Sequence, residues 1–183
     1  GEITVPGDKS MSHRAIMLAS LAEGKSEISG LLEGEDCLAT IEVFKKMGVN
    51  ISRREEIFIV EGRGLMGLKD PSGPLDFGNS GTSVRLCSGV LAAQDFSSTL
   101  VGDSSLSARP MTRITEPLGL MGSNISSSEE GTLPIRIEPV DCLKSIKYSL
   151  PIASAQVKSC LLFAGLYSQG IVEIEEKVTT RDH

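Results

Sequence analysis

A chain of 183 residues that is 40% hydrophobic, with no Trp, two Tyr and five Phe, can bury one aliphatic core, which excludes a disordered segment. No apolar run reaches the roughly 18 residues of a membrane span. A net charge of −6 argues against general nucleic-acid binding while leaving room for a local basic pocket around an anionic metabolite.

The elements repeat along the chain. A helix over Ser12 to Ala22 is followed by a short strand at Ser26 to Ser29, a second helix from Cys37 to Met47, and strands at Asn50 to Ser52 and Ile57 to Glu61. A second copy gives a helix over Ser83 to Ala93, a strand over Ser98 to Val101, a helix over Met111 to Met121, and strands at Asn124 to Ser127 and Leu133 to Glu138. Gly48-Val49-Asn50-Ile51 recurs as Gly122-Ser123-Asn124-Ile125, an offset of 74, after Met47 and Met121 respectively. A third copy has a helix over Gln156 to Tyr167 and a strand over Ile171 to Ile174, and reaches only the polar stretch from Val178 to His183. The expected organisation is thus one domain over 1–183, with repeats at about 10–75, 80–140 and 153–183. The last is incomplete, as in a fragment of a longer protein whose half-unit needs a neighbour to cover its apolar face.

Chemistry gathers at the starts of the first helices of the units. The three segments are Pro6-Gly7-Asp8-Lys9-Ser10-Met11-Ser12-His13-Arg14, Gly78-Asn79-Ser80-Gly81-Thr82-Ser83-Val84-Arg85 and Ser154-Ala155-Gln156-Val157-Lys158-Ser159. Helix N-termini present free N–H groups and the positive end of the helix dipole, small residues let backbone approach a ligand, and Lys9, Arg14 and Arg85 add directed cationic donors. The loop from Gly102 to Met111 supplies Arg109, and Arg181 stands in a comparable loop of the third copy.

Each piece alone has an ordinary reading. Ser10, Ser80 and Ser154 can be N-caps, Lys9 and Arg14 solvated charges, His13 a local polar residue, Lys158 an exposed helical lysine, and Asp8, Asp36 and Asp103 loop or cap residues. Recurrence of small-residue, cation-bearing helix starts at one place in a repeat favours a composite pocket for two or more anionic groups. Gly62-Arg63-Gly64-Leu65-Met66-Gly67 matches a dinucleotide fingerprint, but Pro71, Gly73 and Pro74 follow at once, so the glycines mark a turn and open no helix.

Cys37, Cys87, Cys142 and Cys160 have neither CxxC nor Cys/His metal spacing and read as reduced thiols of a cytosolic protein. The expected location is cytoplasmic. Gly1 stands first rather than Met, so plastid targeting stays open.

PGDKSMSHR, NSGTSVR, GDSSLSARPM and SAQVKS, with RDH at the end, are similar in order and spacing to the signature segments of the enolpyruvyl transferase family, and of its EPSP synthase branch in particular. The resemblance implies an α/β (α+β) fold in which repeated βαβαββ units form an inside-out barrel with buried helices, here most of the first of two domains. It implies transfer of an enolpyruvyl group from phosphoenolpyruvate to the 5-hydroxyl of shikimate 3-phosphate in chorismate and aromatic amino acid biosynthesis. No cofactor or metal is implied, and neither a nucleic-acid nor a membrane partner; the whole enzyme would be a monomer completed by a C-terminal domain.

By the same resemblance Lys9 would lie between the two substrates as the catalytic residue. Ser10, Arg14, Ser154, Gln156 and Arg181 would hold shikimate 3-phosphate with it. Gly81, Arg109 and Gln156 would contact phosphoenolpyruvate, supported by Asn79, Thr82, Arg85 and Ala155. Ala155 stands where some relatives carry Ser, and Gly81 is the form associated with sensitivity to glyphosate. The sister transferase acting on UDP-N-acetylglucosamine has Asn after the first-motif Lys, whereas Lys9 is followed by Ser10 and then Arg14, better suited to a phosphorylated acid. A reading of another class is a ligand-binding module without turnover, because in the family the proton-transfer groups come largely from the second domain.

Overall fold

Asp8 sets the start of the first helix: its carboxylate accepts a hydrogen bond from the Met11 N–H at 2.7 Å, and α1 runs Lys9–Leu21. The computed structural model describes residues 1–3 and 5–177. After α1 come β1 (Glu23–Ser29), α2 (Glu35–Lys46), β2 (Asn50–Arg54) and β3 (Ile57–Arg63). Glu35 and Asp36 in the first turn of α2 and Lys45 and Lys46 in its last complement the helix dipole. The three strands form an antiparallel sheet in the order β1-β3-β2.

The second run is β4 (Leu75–Asp76), α3 (Gly81–Leu91), β5 (Ser98–Val101), α4 (Ser104–Ser107), α5 (Thr112–Leu120), β6 (Asn124–Ser126) and β7 (Ile135–Glu138). Its sheet order is β4-β5-β7-β6, so β5-β7-β6 repeats the pattern of β1-β3-β2. The third run holds β8 (Leu143–Lys144), β9 (Lys147–Ser149), α6 (Ala155–Gly165), β10 (Ser168–Gln169) and β11 (Glu173–Glu175), with β10 parallel to β8 and β11 parallel to β9.

The repeated Gly-x-Asn-Ile segments do the same physical job twice. Gly48 and Gly122 have φ +85° and +89°, the left-handed region that ends a helix without a Cβ clash. Val49 N–H then reaches back to Phe44 O and Ser123 N–H to Leu118 O, both at 3.1 Å. Met47 and Met121, just before these glycines, are fully buried.

Every residue of α3 is buried, which makes it the central element of the core. Gly89 lets α6 come close, because a Cβ built there would lie 2.0 Å from the Cys160 carbonyl oxygen. The interior is aliphatic, with Met17, Leu75, Leu91, Leu100, Ile114 and Leu118 all below 2% exposure, each contributing about 1.5–3 kcal/mol by burial. No helix among the described residues is long and apolar enough to cross a membrane.

Several boundaries differ from the sequence expectation. Helix α1 begins at Lys9 rather than Ser12, since Asp8 caps it and Ser10 lies inside its first turn. Ser80 and Ser154 do act as caps, accepting from Ser83 N–H at 3.2 Å and Val157 N–H at 3.4 Å. The polar loop after β5 holds the short helix α4, capped by Asp103, which accepts from Leu106 N–H at 2.7 Å. The glycine-rich decoy ends β3 and turns at Gly64, φ +78°, with no helix following.

Candidate active site

Ser10, Thr82 and Gln156 are each the second residue of their helix, α1, α3 and α6. All three line one cleft of about 110 Å³, together with Arg14, Ala155 and Ser159. The convergence expected from the sequence is thus present: three helix starts, about 70 residues apart in the chain, open on one space. The N–H groups of a first helical turn have no intrahelical acceptor, so such a cleft concentrates donors.

Gln156 is fixed from both ends. Its Oε1 accepts from Arg85 Nη1 at 2.7 Å and its Nε2 donates to Thr82 Oγ1 at 3.0 Å. Arg85, 8% exposed, also donates through Nη2 to the Pro110 carbonyl at 3.2 Å. Burial is the largest influence lowering its pKa, followed by the neighbouring charges of Arg113 and Arg109. Three guanidinium groups therefore crowd one region, and Arg85 Nε has no partner among the described residues.

The second half of the site adjoins it at Gly81. A Cβ there would come within 3.0 Å of Arg109 Nη1 and 3.1 Å of Arg85 Nη1, so both cations flank this residue. Arg109 donates to Asn79 Oδ1, and Asn79 Nδ2 donates to Asp103 Oδ2 at 2.8 Å. The Asp103 carboxyl is held below its ordinary value first by the Leu106 N–H and then by Asn79.

Lys9 reaches out from the first turn of α1, its side chain 49% exposed, and donates to Asp36 Oδ2 at 2.5 Å. Asp36 is therefore a helical residue paired with Lys9 and neither a loop nor a cap residue. His13, one turn further along α1, is completely buried, with Nδ1 2.7 Å from Thr40 Oγ1. Burial above all, with Lys9 and Arg14 adding to it against Asp36, lowers its pKa to about 4. Lys158 lies outside the cleft and pairs with Glu176 at 2.8 Å.

Ser154 caps α6 and lines a neighbouring cleft of about 250 Å³ between α5 and the loop before α6, which Arg113, Glu116 and Tyr148 also line. Arg113 escaped the sequence reading, although its spacing of four from Arg109 could have flagged it. Arg181 lies outside the described residues. The cysteines are free; burial raises the Cys37 and Cys87 thiols to about 11 and about 12 and pushes that of Cys160 up as well.

Comparison with known proteins gives a consistent result. A family model described as EPSP synthase (3-phosphoshikimate 1-carboxyvinyltransferase) matches residues 1–183. The 3-phosphoshikimate 1-carboxyvinyltransferase of Methylococcus capsulatus is 58% identical over all of this chain and 42% of its own length. That of Bacillus cereus is 53% identical over all of this chain and 43% of its own. A solved EPSP synthase from Acinetobacter baumannii superposes with a TM-score of 0.96 at 52% identity, covering all of this chain and 41% of that one. The chain spans about two-fifths of the length of the relatives it matches. It belongs to the EPSP synthase (3-phosphoshikimate 1-carboxyvinyltransferase) family.

Proposed function

We propose that this chain supplies the shikimate 3-phosphate half of the active site of an enolpyruvyl transferase. The 5-hydroxyl gives up its proton to a base as its oxygen adds to C2 of phosphoenolpyruvate and C3 gains a proton. The tetrahedral adduct then loses phosphate and a C3 proton to leave the enolpyruvyl ether. The observation that carries this reading is the cleft shared by the second residues of α1, α3 and α6, lined by Ser10, Arg14, Thr82, Ala155 and Gln156.

Ser10, Arg14, Ser154 and Gln156 hold the phosphorylated acid, and Arg181 adds a further contact. Phosphoenolpyruvate lies beside Gly81 and Arg109, with Gln156 reaching both ligands. Arg85, Thr82, Asn79 and Ala155 support the site: Arg85 orients the Gln156 amide, and Asn79 steadies Arg109. Lys9 lies between the substrates, where its ammonium stabilises the charge that develops on the adduct.

The domain is an inside-out barrel completed by chain beyond the third unit, and a second domain brings the groups that move protons. One feature of the surface supports this. Helix α2 lies against α1 and α3, and α5 lies against α3 and α6, whereas α1 and α6 line an open groove. The groove is apolar, about 220 Å³ in volume, and lined by Leu18, Leu162, Phe163 and Leu166, with Leu18 and Leu162 both 52% exposed. The whole protein is a cytoplasmic enzyme of the shikimate pathway, and the isolated chain binds without turnover.

The test is an NMR titration of this chain with shikimate 3-phosphate and then phosphoenolpyruvate, following backbone amides near Lys9, Asn79 and Ser154. Saturable shifts at all three helix starts are expected. A well-folded chain with no shifts at any of them would overturn the preformed half-site.

A further inference from the structure

Helices α1 and α2 are joined by two polar rungs one turn apart. Lys9 pairs with Asp36 at 2.5 Å and His13 with Thr40 at 2.7 Å, and each pair is separated by 27 residues. The first rung is half-exposed, while the second is buried. Thr40 Oγ1 also lies 2.8 Å from Ser83 Oγ on α3 and 3.3 Å from the Asp36 carbonyl oxygen. The second rung therefore ties together three helices, two of which begin in the cleft and one of which holds the partner of Lys9.

A hydroxyl has one proton and two lone pairs. If Thr40 donates to the Asp36 carbonyl, it accepts from both Ser83 and His13, which puts the ring proton of His13 on Nδ1. The other nitrogen, Nε2, is buried without a partner among the described residues. A buried polar group left half-satisfied costs stability that a leucine of similar volume would not, so packing does not account for a histidine here. Its useful atom is Nδ1, and what Nδ1 holds is the hydroxyl that braces the first turn of α2 behind Lys9.

We propose that His13 is a positioning residue for the reaction: through Thr40 it fixes the first turn of α2, and so Asp36 and Lys9, relative to the starts of α1 and α3. It touches neither substrate. This rests on the transferase reading above, and its consequence is a rate effect that follows the atom at Nδ1 rather than side-chain volume.

The experiment compares His13→Leu, His13→Asn, His13→Gln and Thr40→Val with wild type in the full-length protein, measuring kcat, KM for each substrate, and thermal midpoint. An asparagine amide reaches the Nδ1 position, whereas a glutamine amide reaches the Nε2 position, where nothing waits. The leucine, glutamine and valine variants should lower kcat by about 10- to 100-fold with smaller changes in KM, as expected for misplacement of a group by a fraction of an ångström to 1 Å. His13→Asn should stay within a few-fold of wild type. Wild-type kcat in His13→Leu or Thr40→Val, or equal losses in His13→Asn and His13→Gln, would overturn the proposal. Should His13→Leu not fold, Thr40→Val, which keeps the shape and removes only the hydroxyl, decides by itself. If wild type itself transfers no enolpyruvyl group, the functional reading falls. The Lys9–Asp36 pairing in crystal structures of wild type and Thr40→Val then decides this inference: a pair preserved in the variant overturns it.

Discussion

Gln156 and Thr82 are 74 residues apart, the spacing that also separates Gly48 from Gly122, and they touch: Gln156 Nε2 donates to Thr82 Oγ1 at 3.0 Å. Equivalent positions of two repeats thus meet in the cleft, and Arg85 locks the other end of the amide at 2.7 Å. The repeat does more than duplicate a core; it brings matching helix starts into one site.

Gln156→Glu tests the charge of that site with little change in shape. A carboxylate there can still accept from Arg85, and Thr82 can turn its hydroxyl to donate, so stability should change by less than about 1 kcal/mol. The new negative charge offsets Arg85. Affinity for shikimate 3-phosphate, measured by calorimetry, should fall at least about tenfold at low salt, and by less at high salt, where screening weakens the repulsion.

Gly81→Ala places a methyl group 3.0 Å from Arg109 Nη1 and 3.1 Å from Arg85 Nη1. Both are the ends of flexible side chains, so they can yield by a few tenths of an ångström, and the thermal midpoint should move little. The space between the two guanidinium groups shrinks instead. Glyphosate should inhibit the full-length variant much less than wild type, as read from inhibition constants against phosphoenolpyruvate; equal inhibition would refute this.

How much of this was legible in sequence depends on the range of the interaction. The Gly48 and Gly122 turns were readable because a positive φ leaves a local residue signature. The α1 start was misplaced by one turn because Asp8 and Ser10 are both good caps and only geometry chooses between them. Strands β4 and β8 to β10 are two or three residues long, too short for alternation to register, while β11 was expected at Ile171 to Ile174 and lies slightly later, at Glu173–Glu175. Asp36 was read as a loop or cap residue because the helix was expected to begin at Cys37, two residues after its start at Glu35, and its pairing with Lys9, 27 residues away, leaves no local signal. Buried roles such as that of His13 depend on three helices meeting, which no local pattern encodes.

Lys9→Met should separate function from stability. The Lys9–Asp36 pair is solvent-accessible, with side chains 49% and 26% exposed, so its loss should cost less than about 1 kcal/mol in denaturant unfolding. Enolpyruvyl transfer by the full-length variant should nevertheless fall by orders of magnitude. A variant with near-normal turnover would remove Lys9 from the chemistry.

Stability should also fall on mild acidification. His13 has a pKa of about 4 in the folded chain against an ordinary 6.5, chiefly through burial. Above pH 6.5 it is neutral in both states and its contribution is complete. As the pH falls from 6.5 towards 4, the unfolded chain takes up a proton that the folded chain refuses, so stability declines, levelling at a loss of about 3 kcal/mol below pH 4. Urea unfolding between pH 7.5 and 4.5 should show this slope, and His13→Asn should reduce it.

The same substitution should have opposite signs at two helical glycines. At Gly89 in α3 a Cβ would sit 2.0 Å from the Cys160 carbonyl oxygen, a backbone atom that cannot swing aside, so Gly89→Ala must push α3 and α6 apart. The gain in helix propensity, about 1 kcal/mol, is too small to offset that overpacking, and the net loss should exceed about 2 kcal/mol. At Gly119 in α5 a Cβ meets nothing within 4 Å, and the residue is exposed. Gly119→Ala should stabilise by about 0.4–1 kcal/mol through the reduced freedom of the unfolded chain. Thermal midpoints of the two variants in parallel test the account, because a core in which α3 and α6 were loosely packed would tolerate both.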